Sequence, residues 1–214
     1  GDELADALLE YDRSLDPTAR AAVGGSLARA RALALPDQQA RATLRARLAE
    51  SPADVETLKA LLDRLGDADP RDLLTETIRL TESAPFAVER FGAAALRAAG
   101  DAESLLQAFD LLPRAVAARP ASVMLHAWLL AENARFGRAE ALLRERLAEA
   151  PDDAAARIQL ARTLVDAGRD ASALSALERL PDDPDAALTL ARVEVLASLG
   201  RPAEALDALQ PLLD

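Results

Sequence analysis

The histidine at position 126 is the only one in the chain, and no cysteine is present. A zinc site commonly needs several nitrogen or thiolate ligands, and a catalytic role for His126 would need an oriented partner. Neither is available in the sequence, so we predict no metal site and no catalytic residue. We expect His126 to pack on a helix or to line a binding groove, where its imidazole titrates near neutral pH.

Two acidic runs, Asp152-Asp153 and residues 182–185, could supply the carboxylate ligands of a calcium site. Calcium loops space their oxygen ligands around a glycine, whereas these runs precede helical stretches, where carboxylates cap free N–H groups. Gly24-Gly25 lacks the Lys-Ser/Thr that completes a phosphate loop, and we expect it to mark either a local weak point or a close helix contact. No acid, base and nucleophile come together, so we predict no enzyme and no cofactor within these residues.

Composition favours helices throughout. Half of the residues are apolar, aromatic residues make up only 3%, and Ala and Leu dominate, which is the content of strong helix formers. The net charge of −11 disfavours a nucleic-acid partner, because phosphates need a basic surface. No apolar stretch approaches the roughly 20 residues of a membrane span, so we expect no membrane insertion.

The chain repeats itself at intervals of 31 to 35 residues. Prolines set these intervals, and Ala-x3-Leu precedes most of them so that the small residue and the Leu share one helix face. Proline cannot continue a helix and opens the next one. Glycines mark a second turn in each unit, where a helix end tolerates positive φ. The prolines are Pro17, Pro52, Pro85, Pro120, Pro151 and Pro184, and the glycines are Gly66, Gly100, Gly137, Gly168 and Gly200.

This pattern of helix A, Gly turn, helix B and Pro turn, with a period of about 34 residues, resembles the tetratricopeptide repeat. The resemblance implies an all-α, right-handed α-solenoid of antiparallel helix pairs, with about thirteen helices and a kink or a late start at Pro113. We expect a single solenoid over residues 1–214. It would consist of an orphan helix B over 2–16 and six repeats over 17–51, 52–84, 85–119, 120–150, 151–183 and 184–214.

The resemblance also implies where a partner binds. Helix A of each repeat lines a concave groove, at positions counted back from the Gly turn. The groove residues so assigned are Arg90, Arg97, Met124, Arg135, Ile158, Arg162 and Asp166.

Three of these, Arg97, Arg135 and Arg162, would form a basic stripe able to hold carboxylates bidentately. The hypothesis is a partner segment with apolar and acidic side chains. The alternative is that these arginines pair with neighbouring Asp or Glu on a solvated face. Trp128 is expected in the core, the alternative being a binding anchor.

The resulting function is a protein-interaction scaffold that binds a protein or peptide. One specific form resembles the periplasmic repeat region of a bacterial exopolysaccharide exporter; the alternative is a regulatory or substrate-recruiting arm of a larger enzyme such as a glycosyltransferase. Direct polysaccharide binding is the least favoured, because few aromatics are available for stacking. The cysteine-free composition fits cytoplasm and periplasm alike, with a lean to the periplasm. Both ends lack a polar capping helix, so we expect a fragment of a longer array that self-associates through those ends.

Overall fold

The structure of the chain is a computed structural model that describes residues 2–52, 54–65, 69–180 and 186–212. Every regular element in these ranges is an α-helix or a short 3-10 turn. The predicted all-α fold class is therefore confirmed.

The chain forms two compact units, Gly1–Gly100 and Asp101–Asp214, called the N-terminal and C-terminal units below. The N-terminal unit contains α1 (Asp2–Ser14), α2 (Pro17–Ala34), α3 (Asp37–Glu50), α4 (Val55–Asp63), α5 (Pro70–Ser83) and α6 (Val88–Ala99), which follows a 3-10 turn at Pro85–Ala87. The C-terminal unit contains α7 (Ala102–Asp110), α8 (Arg114–Ala117), α9 (Pro120–Glu132), α10 (Phe136–Glu149), α11 (Ala154–Asp166), α12 (Asp170–Leu177), α13 (Ala186–Ser198) and α14 (Pro202–Leu209). The grouping of these helices into six repeats of one continuous solenoid stays a prediction.

The Ala-x3-Leu motif supplies the buried face of helix B. Ala40 and Leu44 of α3 and Ala139 and Leu143 of α10 are completely buried. Consecutive helices pack in antiparallel pairs, including α2 with α3, α9 with α10, α11 with α12 and α13 with α14. The small Ala lets the paired helix approach and the Leu fills the layer beside it.

Aspartates cap several of the helices. Asp153 accepts a hydrogen bond from the Ala156 N–H at 3.0 Å, so its predicted capping role is confirmed. Pro52 does not open a helix, contrary to the expectation for the prolines: α3 ends at Glu50, Ser51 forms its C-cap, and α4 begins at Val55 after its N-cap Asp54. The acidic run at 182–185 lies outside the described residues.

The turn between helices A and B contains a left-handed residue. Gly100, Gly168 and Gly200 have φ values of 83°, 70° and 68°, as the sequence predicts. Gly137 does not: it lies inside α10, and Ala134 adopts the left-handed conformation with φ 56°. The predicted turn in repeat four is therefore wrong by three residues. Gly66 lies outside the described residues.

Pro113 neither kinks nor delays a long helix. Helix α7 ends at Asp110, and the separate one-turn helix α8 begins at Arg114 immediately after Pro113. The proline lacks an N–H and its ring blocks a continuous helix at this point. The described residues thus contain fourteen α-helices rather than about thirteen.

Candidate partner-binding face

Helices α9, α11 and α13 are neighbours in the C-terminal unit, since α11 packs against both of the others. Each ends in the same turn. The N–H groups of Arg135, Arg169 and Arg201 bond to carbonyls five residues back, at 2.8, 2.8 and 2.9 Å. Ala134, Gly168 and Gly200 are therefore structural equivalents, and positions on the three helices can be counted back from them.

This register changes the assignment in repeat four. Arg135 is the N-cap of α10 and is equivalent to Arg169 and Arg201, so it lies at the turn rather than on helix A. The equivalent side chains fall into three rows. The row ten residues before the turn is Met124, Ile158 and Leu190; the row six before is Trp128, Arg162 and Glu194; the row two before is Glu132, Asp166 and Ser198.

The apolar residues expected to line the groove are mostly core. Met124 is 2% exposed and Ile158 is 1% exposed, so neither is accessible to a partner. Trp128 is buried too, as expected for a core residue rather than a binding anchor. Leu190 of α13, which is equivalent to Met124 and Ile158, is 48% exposed.

The predicted basic stripe is largely neutralised within the chain. Arg162 Nη2 of α11 lies 2.5 Å from Glu194 Oε2 of α13. Arg135 Nη2 lies 2.7 Å from Glu103 Oε2 of α7. For both arginines the structure has the alternative arrangement, in which they pair with neighbouring carboxylates.

The remaining two predicted groove residues, Arg90 and Arg97, belong to α6 of the N-terminal unit. Both are exposed. The Arg90 Nη1 group donates to the Pro52 carbonyl at 3.2 Å.

Carboxylates dominate the accessible part of the helix-A surface. Glu132 of α9 and Asp166 of α11 occupy equivalent, exposed positions, and no cation of the described chain is paired with Glu132. Glu132, Asp166 and Glu194 together outnumber Arg162, the one base among these positions. We call these four residues the acidic face.

The pKa values of Glu132 and Asp166 are both raised. Partial burial, and then the negative charge of Asp166, raise the pKa of Glu132. Burial also raises the pKa of Asp166, an effect that the positive charge of Arg162 offsets in part. Repulsion and lost hydration oppose ionisation here, so a cation placed between these groups would be favourable.

Comparison with known proteins bears on this same region. Residues 129–185 match the family model described as tetratricopeptide repeat. This stretch is a tetratricopeptide-repeat segment. Such repeats generally mediate protein–protein interactions as non-catalytic scaffolds and bind along extended surfaces.

One solved structure with a similar fold is a tetratricopeptide repeat protein from Parabacteroides merdae ATCC 43184. It shares 14% identity with this chain, with a TM-score of 0.48 over 96% of this chain and 83% of that one. No curated protein matches the sequence. The description of the matching family names neither an exopolysaccharide exporter nor a glycosyltransferase. Both of these specific roles for the scaffold therefore stay predictions.

His126, near the start of the tetratricopeptide segment, is a packing residue. Its ring stacks on Phe109 of α7 with centroids 4.5 Å apart and an interplanar angle of 10°. Burial, and then the charge of Arg138, lower the pKa of His126, while Asp110 acts in the opposite direction. Among the described residues no group of three or more His, Asp and Glu side chains is arranged to hold a metal, and no helix there is both long and apolar enough to cross a bilayer.

Sequence reasoning missed Glu132 because it counted from Gly137. The signal was present in the spacing, since Glu132 and Asp166 lie one repeat period apart. Counting from a turn at Ala134 would have aligned them. Alanine is an uncommon residue at positive φ, so the sequence itself offered little reason to choose it.

Proposed function

We propose that the C-terminal unit is a protein-interaction scaffold whose acidic face binds a partner segment with cationic side chains. The observation that carries the proposal is the pair Glu132 and Asp166, which are exposed at equivalent positions on neighbouring helices. Both have a raised pKa, mainly through burial, and the charge of Asp166 adds to the shift at Glu132. The tetratricopeptide-repeat match over residues 129–185 supports a protein or peptide as the partner. The predicted acidic partner is replaced because Arg135 and Arg162 already have carboxylate partners.

The chemistry of the face suits an arginine or lysine side chain. A guanidinium can donate two parallel hydrogen bonds to a carboxylate and bridge a second one beside it. Its charge would relieve the repulsion between Glu132 and Asp166 and stabilise both in the ionised form. The exposed Leu190 on α13 adds an apolar contact at the edge of the same surface.

A basic segment would gain from the overall charge as well. The chain has a net charge of −11, which attracts a cationic partner at long range and accelerates its association at low salt. Specific recognition would come from the acidic face, because general attraction to an acidic protein does not depend on two particular carboxylates.

A peptide array tests this proposal. Arrayed segments with basic, acidic and neutral composition, each with matched apolar content, are probed with the labelled chain. Basic segments should be retained, and the double variant Glu132→Gln/Asp166→Asn should lose them. The matched control is Glu145→Gln/Glu149→Gln, which removes two exposed charges from α10. Retention of acidic segments, or equal loss with both double variants, would contradict the proposal.

A further inference from the structure

A second candidate site lies in the N-terminal unit. A pocket of about 200 Å³ opens between α1, α2 and α3. Three arginines line it, one from the start of α2, one from its end and one from α3, together with the acidic residues Asp12 and Glu50 and several leucines. The arginines are Arg20, Arg31 and Arg47.

Two of the three arginines have acceptors in the chain. The Arg20 Nη2 group donates to the Asp12 carbonyl at 2.8 Å, and its Nε lies 3.8 Å from the Asp12 carboxylate. Arg47 faces Asp54, with Nε 3.5 Å from Oδ2, and Glu50 lies 3.8 Å from its Nη1. These two charges are therefore balanced by carboxylates on adjoining elements.

Arg31 is different. Its half-buried guanidinium pairs with no carboxylate or other acceptor in the described part of the chain; its Nε, like that of Arg47, is a buried donor without a hydrogen-bond partner. An unsatisfied donor of a charged group is costly when it is removed from water. Arg31 is therefore the one arginine of this pocket whose charge no carboxylate of the described chain balances.

Glycine shapes the wall of this pocket. A Cβ on Gly24 would lie 3.1 Å from Arg47 Nη1 and 3.3 Å from its Cζ. The missing side chain thus lets the Arg47 guanidinium lie close against α2 in the wall of the pocket. The other walls are apolar, formed mainly by Leu8, Leu9 and Leu27.

From this arrangement we propose that the pocket binds a small monocarboxylate with a short apolar chain. One guanidinium without a partner balances one negative charge. A dianion such as phosphate would bring a second negative charge close to Asp12 and Glu50. No further basic side chain of the pocket is free to balance that charge. The volume is smaller than the roughly 300–1,000 Å³ of pockets for drug-sized ligands, and the leucines accommodate an alkyl chain of a few carbons.

The test uses the whole chain and butyrate as the probe, with binding followed by saturation-transfer NMR and by calorimetric titration. Butyrate should bind the wild type, and Arg31→Gln should weaken binding by about tenfold or more, as expected for a hydrogen bond to a charged group. Arg71→Gln is the matched control, since Arg71 is exposed on α5 of the same unit, and it should bind like the wild type.

Three further arms decide the ligand chemistry. Butylamine tests the charge, inorganic phosphate tests the valence and butanol tests whether the alkyl chain suffices; each should bind more weakly than butyrate. Leu8→Asp serves as a second variant, because it places a negative charge in the pocket and should abolish butyrate binding without changing Arg31. Absence of butyrate binding to the wild type, equal binding by Arg31→Gln, or stronger binding of any of the three comparison probes would overturn the inference.

Discussion

Gly25 of α2 lies directly against the carboxylate of Asp54, which caps α4. A Cβ built on Gly25 would overlap Asp54 Oδ2, and that carboxylate accepts a hydrogen bond from the Thr57 N–H at 3.0 Å. Arg29 and Arg47 lie 3.4 and 3.5 Å from the same carboxylate. The Gly24-Gly25 pair therefore marks a close helix contact, one of the two alternatives that the sequence leaves open, with a capping carboxylate placed between two arginines.

Replacement of Gly25 by Ala should destabilise the protein. The methyl group must displace Asp54 from its cap, and overpacking of this kind costs about 1–3 kcal/mol, more than the gain of about 1 kcal/mol from the better helix former. Urea unfolding followed by circular dichroism measures the change in the free energy of unfolding.

Gly137→Ala is the matched control for that substitution. Gly137 also lies in a helix, but a Cβ there meets nothing within 4 Å. The free energy of unfolding should stay unchanged or rise by up to about 1 kcal/mol. If both variants shifted the free energy in the same direction, the contact between Gly25 and Asp54 would not be the cause.

The Asp54 carboxylate should make stability depend on pH. Burial by itself raises the pKa of Asp54, but hydrogen bonds from Thr57, the charge of Arg29 and a hydrogen bond from Arg47 lower it overall. A folded-state pKa below the unfolded value of about 3.9 stabilises the protein above that value, and this contribution is lost as pH falls through the folded pKa.

Comparison with Asp54→Asn isolates this effect. The variant should be less stable than the wild type at neutral pH by about 1 kcal/mol or more, because it loses the negative charge that Arg29 and Arg47 face. Its amide oxygen can still cap the helix. The difference should shrink as the pH falls below the unfolded value. Asp63→Asn, at the exposed end of the same helix, is the control; a pH-independent gap for Asp54→Asn would contradict the assignment.

A buried ion pair joins α3 to α5. Both carboxylate oxygens of Glu76, which is 3% exposed, accept hydrogen bonds from Arg45. Arg45→Ala should cost up to about 3–5 kcal/mol, because it leaves the buried carboxylate with only the exposed Arg79, whose Nη1 lies 4.0 Å from Glu76 Oε2. The double replacement Arg45→Met/Glu76→Leu should cost much less, since it removes both charges and preserves volume.

The exposed ion pair between Arg201 and Glu204 is the control for these replacements at the buried pair. Glu204→Ala should change the free energy of unfolding by no more than about 1 kcal/mol. Equal costs for Arg45→Ala and for the double replacement would show that the buried Glu76 charge does not need Arg45.

The turn at Ala134 predicts a stabilising substitution. An L-residue pays about 1–2 kcal/mol in the left-handed conformation that glycine adopts freely. Ala134→Gly should therefore raise the free energy of unfolding by about 1 kcal/mol, and Gly168→Ala at the equivalent position should lower it by a similar amount. Thermal and urea unfolding of both variants test the register; a destabilised Ala134→Gly would contradict it.

The all-α fold could be predicted because its signals are local. Proline at the first helical position, as at Pro17, and Ala-x3-Leu on a buried face, as at Ala139 and Leu143, depend on backbone geometry and residue size alone. The register of repeat four could not be predicted from the sequence. Gly137-Arg138 has the same residues as the turn at Gly168-Arg169, but the left-handed residue of repeat four is Ala134. A glycine within a helix and a glycine at its end look alike in sequence.

The candidate site was less predictable because it depends on tertiary neighbours. Arg135 pairs with Glu103, and Arg162 pairs with Glu194, each at a separation of 32 residues. One repeat period therefore brings each arginine to its partner, and the spacing alone does not show which side chains reach across. The burial of Met124 and Ile158 likewise depends on how closely neighbouring helices approach.

The measurement that tests the central claim most directly is the affinity of one basic peptide, taken from the array, for the wild type and for Glu132→Gln/Asp166→Asn. Fluorescence anisotropy at low and at physiological salt gives the dissociation constants. The acidic face predicts a loss of about tenfold or more for this double variant, from charge-assisted hydrogen bonds, and no comparable loss for Glu145→Gln/Glu149→Gln. Equal affinities for the wild type and the Glu132/Asp166 variant at both salt concentrations would contradict it.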